Sequence, residues 1–195
     1  MARPRKITAE QILEAAQAIF LEKGFGASTV DIANKAGISE GSIFKRFPTK
    51  EDLFIAAMGM SQISSWISFL ESSVGKGELK ENLKDLGSKM IEFFKELVPK
   101  MMMVRSKGLP IPPMLRQPDK APPVRVLRAL TSFFEEEIAL GRIRPNNPQI
   151  IATMFMGSLM EFVILSQASA PLPDVDSYVN SVVDLLWTSI KPEEE

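Results

Sequence analysis

A chain of 195 residues with 45% hydrophobic content is long enough to bury a sizeable core, which excludes a disordered chain. It contains no cysteine and no histidine, so the commonest nucleophile, general base and metal ligands are missing together, and neither an enzyme, a cofactor nor a metal site is expected. The 23 basic and 24 acidic residues leave a net charge of −1, but the basic ones are placed unevenly. Residues 1–54 hold eight Lys/Arg against seven Asp/Glu, and six of the eight fall in two clusters: Arg3, Arg5 and Lys6, then Lys45, Arg46 and Lys50.

No apolar run follows the first basic cluster, since Ile7 gives way to Thr8, Ala9 and Glu10. This argues against a signal peptide and for a cytoplasmic chain. Sustained period-two alternation is absent while period 3.6 recurs, so the chain is expected to be all-α. Thr8 and Gln11 have the spacing of a capping box ahead of a first helix with the stripe Ile12, Ala16, Ile19 and Phe20, ended by Gly24. A second helix starts at Ser28 or Thr29, with Asp31 at the capping-box position, and ends near Gly37. Ser39 caps a third, Glu40 to Phe47, which Pro48 closes. Behind Thr49 and Asp52, residues 50 to about 73 read as one long helix, because they hold no proline and a single internal glycine.

The next helix runs from Glu78 or Leu79 to Val98, with Pro99 stopping or kinking it. Six prolines between 110 and 123 predict a stiff connecting loop, followed by a helix to Leu140. The longest apolar stretch, Ile150 to Leu165, is about 16 residues, is interrupted by Glu161 and falls short of the roughly 20 that span a bilayer, so a buried helix and no membrane partner are expected. From Gln149 to Pro173 Glu161 is the only ionisable residue. A helix that apolar demands burial on nearly every side. The last helix carries the stripe Val179, Val182, Val183, Leu186 and Ile190. Two such helices from each of two chains predict a four-helix bundle at a homodimer interface, formed by Ile151, Phe155, Leu159, Phe162 and the five residues of that stripe. Glu161 is assigned no role, and Glu193 to Glu195 read as a solvated tail.

Residues Ser28 to Phe54, STVDIANKAGISEGSIFKRFPTKEDLF, have the physical logic of a helix-turn-helix. Ile32 and Ala33 face inward, Gly37 takes the left-handed turn, Ile38 fills the corner, and Ile43 and Phe47 anchor the third helix. Glu40, Gly41, Ser42, Lys45 and Arg46 are left outside. A helix so divided fits the major groove of B-DNA, its N-terminal residues at base edges and flanking basic groups on phosphates.

This segment, with Ile12, Ala15, Ala16, Phe20 and Lys23-Gly24-Phe25 before it, closely resembles the N-terminal signature of the TetR (tetracycline-repressor-like) family. The rest of the chain resembles that family in its helix plan, its Gly-Arg-Ile-Arg-Pro turn and its apolar final pair. The resemblance implies about nine helices: a three-helix DNA-binding head with a basic arm, residues 1–54, joined by a long helix to an effector-binding and dimerisation body, residues 55–195. It further implies a homodimer on an inverted-repeat operator of double-stranded DNA, with half-sites about 34–36 Å apart, released by a small, apolar or amphipathic effector. Ser28 and Thr29 match residues that meet the DNA backbone, Ser42 the family's Thr or Ser in the reading helix, Arg46 its frequent His, and Lys50 its phosphate-binding lysine. Phe44 stands where the family usually has Tyr, so the phosphate-donating hydroxyl is gone, and Arg46 supplies a permanent charge instead. Arg3, Arg5 and Lys6 either reach along the DNA or have no role. Trp66, Phe93, Met103, Phe134 and Phe155 lie in helices that enclose the family's effector cavity. Core packing explains the aromatic and methionine content as well. The alternative function is a helical protein-interaction module without ligand control.

Overall fold

A computed structural model describes residues 8–117, 119 and 121–192. Arg3, Arg5, Lys6 and the acidic tail 193–195 lie outside the described residues, among which there are nine α-helices and no strand. The chain divides into two compact units. One takes in the chain up to Ser61 together with the segment that starts at Pro99; the other holds Gln62–Val98 and the chain from Asp119 on.

In the first unit, α1 (Ala9–Lys23) starts at the expected capping box: the Thr8 side chain accepts from the Gln11 backbone and the Gln11 side chain from the Thr8 N–H. It packs on α2 (Thr29–Ala36) and α4 (Lys50–Ala57). Ile12, Phe20, Ile32, Leu53 and Phe54 are fully buried. Phe20 and Phe25 set ring edges against Phe54, with centroids 4.9 and 5.7 Å apart. Burial of such side chains stabilises by about 1.5–3 kcal/mol each. The head is held by aromatic packing as well as by caps.

Three sequence expectations change here. The single helix over 50–73 is two, α4 and α5 (Gln62–Ser73), because the chain turns at 58–61, where Gly59 takes φ 81°. The helix expected to stop or kink at Pro99 runs on to Ser106 as α6 (Leu79–Ser106). Its last turns and the following segment belong to the first unit, where Val104 is fully buried and the Pro110 carbonyl accepts from the Phe25 N–H at 2.6 Å. Tertiary docking outweighs the one hydrogen bond that a helical proline removes. Pro122 and Pro123 are not loop residues but open α7 (Pro122–Ala139), where the missing N–H costs nothing.

In the second unit α7 packs against α5 and α8 (Pro148–Gln167), and α8 against α9 (Val175–Ile190). Gly87 of α6 lets Val179 and Phe155 come close: a Cβ there would lie 2.8 Å from Val179 Cγ1. With twenty residues and a mean hydropathy of 1.6 over its most apolar window, α8 is long and apolar enough to cross a membrane on those grounds alone. It exceeds the sequence estimate because the helix runs past the apolar stretch to Pro148 and Gln167. One side is core, with Ile151, Ala152, Phe155, Leu159 and Val163 buried. The other is uncovered, with Ile150 53% and Met154 62% exposed.

Candidate nucleic-acid interface

The helix-turn-helix forms as its residues predict. Gly37 ends α2 at φ 69°, ψ 34°, the left-handed conformation that a Cβ disfavours, and its N–H bonds the Ala33 and Asn34 carbonyls. Ser28 caps α2 by accepting from the Val30 N–H at 3.1 Å. Asp31 takes no part in that cap. It pairs instead with Lys23 at 2.9 Å, and the hydrogen bond and charge of the carboxylate raise the Lys23 ammonium above its ordinary 10.5.

The third helix is shorter than its pattern suggests: α3 is Glu40–Phe44, and the chain then turns through Lys45 to Phe47. Ile43 is fully buried and fixes the rotation of the helix. Gly41, Phe44, Lys45 and Arg46 are exposed, and Glu40 and Ser42 half-buried. The Thr29 hydroxyl donates to the Glu40 carboxylate, tying α2 to α3, and the Ser39 and Ser42 hydroxyls pair at 2.8 Å. Ser39 therefore makes no side-chain cap. Lys50 opens α4 behind the capping box of Thr49 and Asp52, and its ammonium sits 4.7 Å over the Phe25 ring.

Apart from the arm, the expected DNA-binding residues Ser28, Thr29, Glu40, Gly41, Ser42, Phe44, Lys45, Arg46 and Lys50 all lie in α2, α3, their caps, the turn that follows α3 and the first turn of α4. Gly41 has an ordinary backbone conformation and open space where a Cβ would stand. Among the described residues, nothing asks for glycine there.

The other candidate residues are placed differently. Phe134 and Phe155 are fully buried core, and Phe93 is nearly so, with Trp66 edge-on to it at 4.4 Å. Met103 is 44% exposed and belongs to the first unit. None of the five lines the open groove of about 420 Å³ along α5 and α7, which is lined by Ile67, Val74 and Phe133 and by Arg125, Arg128, Glu71 and Glu136. Arg125, Arg128, Ala129, Ser132 and Glu136 recur at helical spacing on one face of α7, a pattern that by itself reads as a solvated face.

Of the expected interface residues, Ile151, Phe155, Leu159, Phe162, Val179, Val183, Leu186 and Ile190 are buried within this one chain, and Val182 is half-buried. These side chains pack within the chain's own core. The apolar residues left exposed on the same two helices are Ile150, Met154, Ile164 and Leu165 of α8 and Leu185 of α9, the last 74% exposed. Gly157 lies among them, with open space beside it.

Residues 12–57 match the family model described as bacterial regulatory proteins, tetR family. The chain is 35% identical over 86 residues to the uncharacterized HTH-type transcriptional regulator YvkB of Bacillus subtilis, a match that covers 44% of each chain and so spans less than half of that relative. Over 187 residues, 92% of this chain and 94% of the other, it is 25% identical to the fatty acid metabolism regulator protein of the same organism. The fold is shared with the crystal structure of the transcriptional regulator FadR from Bacillus subtilis in complex with stearoyl-CoA, at TM-score 0.57 and 24% identity over 92% of this chain and 97% of that one. Residues 12–57 thus carry the helix-turn-helix of the tetR family of bacterial regulatory proteins, on a chain whose all-helical fold is that of transcriptional regulators of this kind.

Proposed function

We propose that this chain is a DNA-binding transcription regulator, a repressor that binds an inverted-repeat operator as a homodimer in the cytoplasm and lets go when a small amphipathic molecule occupies its body. The observation that carries the DNA-binding part is the division of α3. Ile43 is locked in the core while Gly41, Phe44, Lys45 and Arg46 face out beside it. A bare backbone at Gly41 admits a close neighbour, and the basic pair supplies phosphate contacts. The reading head is residues 1–54, with the segment from Pro99 in the same compact unit, and the sensing body is the other unit.

Dimerisation is supported by the uncovered apolar side of α8 and α9, where Gly157 leaves room for a second helix. Exposed apolar residues on both sides of Glu161 on α8 call for a cover, and a two-fold copy of the same face is the simplest one. An amphipathic effector is supported by the α5–α7 groove, whose lining combines Ile67, Val74 and Phe133 with Arg125 and with Arg128, itself paired to Asp119. It also agrees with the relative named for fatty acid metabolism and with the structural neighbour that holds stearoyl-CoA.

The test is a mobility shift of the gene's own upstream DNA by the whole chain, repeated at rising salt, with footprinting of the shifted complex. A symmetric protected site and an affinity that falls steeply with salt are expected. Protection without symmetry sinks the dimer. A complex that binds every duplex alike sinks the operator. Adding long-chain acyl thioesters to the preformed complex tests the effector, and release is expected because only a ligand that prefers one state shifts the equilibrium.

A further inference from the structure

Among the side chains of α3, Phe44 alone offers an outward surface that the chain has left uncommitted, and that surface is apolar. Ile43 is fully buried and Gly41 has no side chain. The Glu40 carboxylate is held by the Thr29 hydroxyl, and the Ser42 hydroxyl is paired with that of Ser39. What remains is the Phe44 ring, 37% exposed beside Lys45 and Arg46. A phenyl ring neither donates to a phosphate nor reads the hydrogen-bond pattern of a base edge. In the major groove the apolar feature it can recognise is the 5-methyl group of thymine, which no other base of unmodified DNA carries.

We infer that Phe44 is a specificity-determining residue that reads a thymine methyl in each operator half-site, so that part of the sequence preference is carried by apolar contact. This rests on the DNA-binding reading above. Val30 is also exposed, at 48%, but it sits on α2, the helix that in a helix-turn-helix crosses the backbone and does not enter the groove.

The experiment starts by enriching duplexes from a random pool with the whole chain and taking the best binder as the probe. Each thymine is then replaced by deoxyuridine, which removes the methyl and leaves base pairing intact. At one thymine per half-site the replacement is expected to weaken binding about fourfold, and about 15-fold when made in both, the loss expected for burying one methyl-sized group at each site. Phe44→Ala, whose folding is checked by its melting curve, is expected to bind the thymine and uracil probes equally, whereas Val30→Ala retains the difference. The inference is overturned if no uracil replacement matters, or if Phe44→Ala keeps the same sensitivity. Failure to enrich any duplex would instead overturn the DNA-binding reading and this inference with it.

Discussion

Four glycines of the chain have no left-handed φ, and they separate into two kinds. Gly26 and Gly87 are small because something is close: Pro110 Cγ would lie 3.2 Å from a Cβ on the first, and Val179 Cγ1 2.8 Å from one on the second. Gly41 and Gly157 stand in open space. Gly87→Ala is therefore expected to destabilise the protein by about 1–3 kcal/mol, since a packed core accepts extra volume only by shifting. Gly24→Ala should be at least as harmful. Its Cβ would lie 2.7 Å from both Leu109 Cβ and the Pro110 carbonyl oxygen, at a φ of 65°. By contrast, Gly41→Ala is expected to leave stability unchanged or to raise it by about 0.5–1 kcal/mol, alanine being the better helix former, while operator affinity falls. Urea denaturation beside a binding titration separates the two effects; loss of both together would show that Gly41 serves the fold after all.

The elements are joined by one buried carboxylate. Glu137 of α7 is fully buried; its Oε1 accepts from the Gly75 N–H at 2.8 Å, and its Oε2 lies 3.2 Å from Arg142 Nε. Arg142 also donates to the Gly77 carbonyl at 2.6 Å, so the turn after α5 and the turn after α7 are fastened to each other. Arg142→Ala leaves that carboxylate buried without its cation and is expected to cost about 3–5 kcal/mol, whereas Glu137→Gln, which keeps an acceptor for Gly75, should cost less. A melting temperature for each variant decides the order. Two carboxyls at α9 are held below their ordinary pKa. Asp174 caps it, and the backbone and hydroxyl of Ser177 hold its carboxyl below the ordinary 3.8; Asp184 is held below it by the Lys80 ammonium. A depressed folded-state value means stability fully present above the ordinary pKa and lost as pH falls through the lower one. Asp174→Asn is thus expected to flatten the fall in melting temperature below about pH 4 and to change little near neutrality.

These elements also show what a linear sequence reveals. The caps of α1 and α4 lie within three residues of their partners and were readable in place. The Glu137–Gly75 bond spans 62 residues, and no local pattern announces it. The course of α6 past Pro99 was hidden for a similar reason, because its last turns depend on docking beside α1 and not on propensity. The α3 face was legible in part: burial of Ile43 and exposure of Gly41 follow from helical period, whereas Phe44 was singled out only by the family resemblance. Periodicity finds a buried stripe, however, and cannot say what buries it: Val179, Val183 and Ile190 were read as facing a partner chain, and they are buried within this one.

For the whole molecule, the proposed dimer makes a sharp demand. Leu185→Lys or Gly157→Arg places a charge on the exposed strip without touching the buried one, so sedimentation is expected to show a folded monomer with unchanged helical content. Its operator affinity should fall by at least tenfold, because two heads on one duplex act at high effective concentration and one does not. A dimer that survives both changes would require the partner face to be sought elsewhere. There is also a consequence for anyone who would harden this protein against heat. Selection for thermal resistance favours alanine at open helical positions, and Gly41 and Gly157 are such positions. The winner of that selection is expected to be a sturdier molecule that neither pairs nor grips its operator as well, since the surplus stability would come from filling the spaces its partners use.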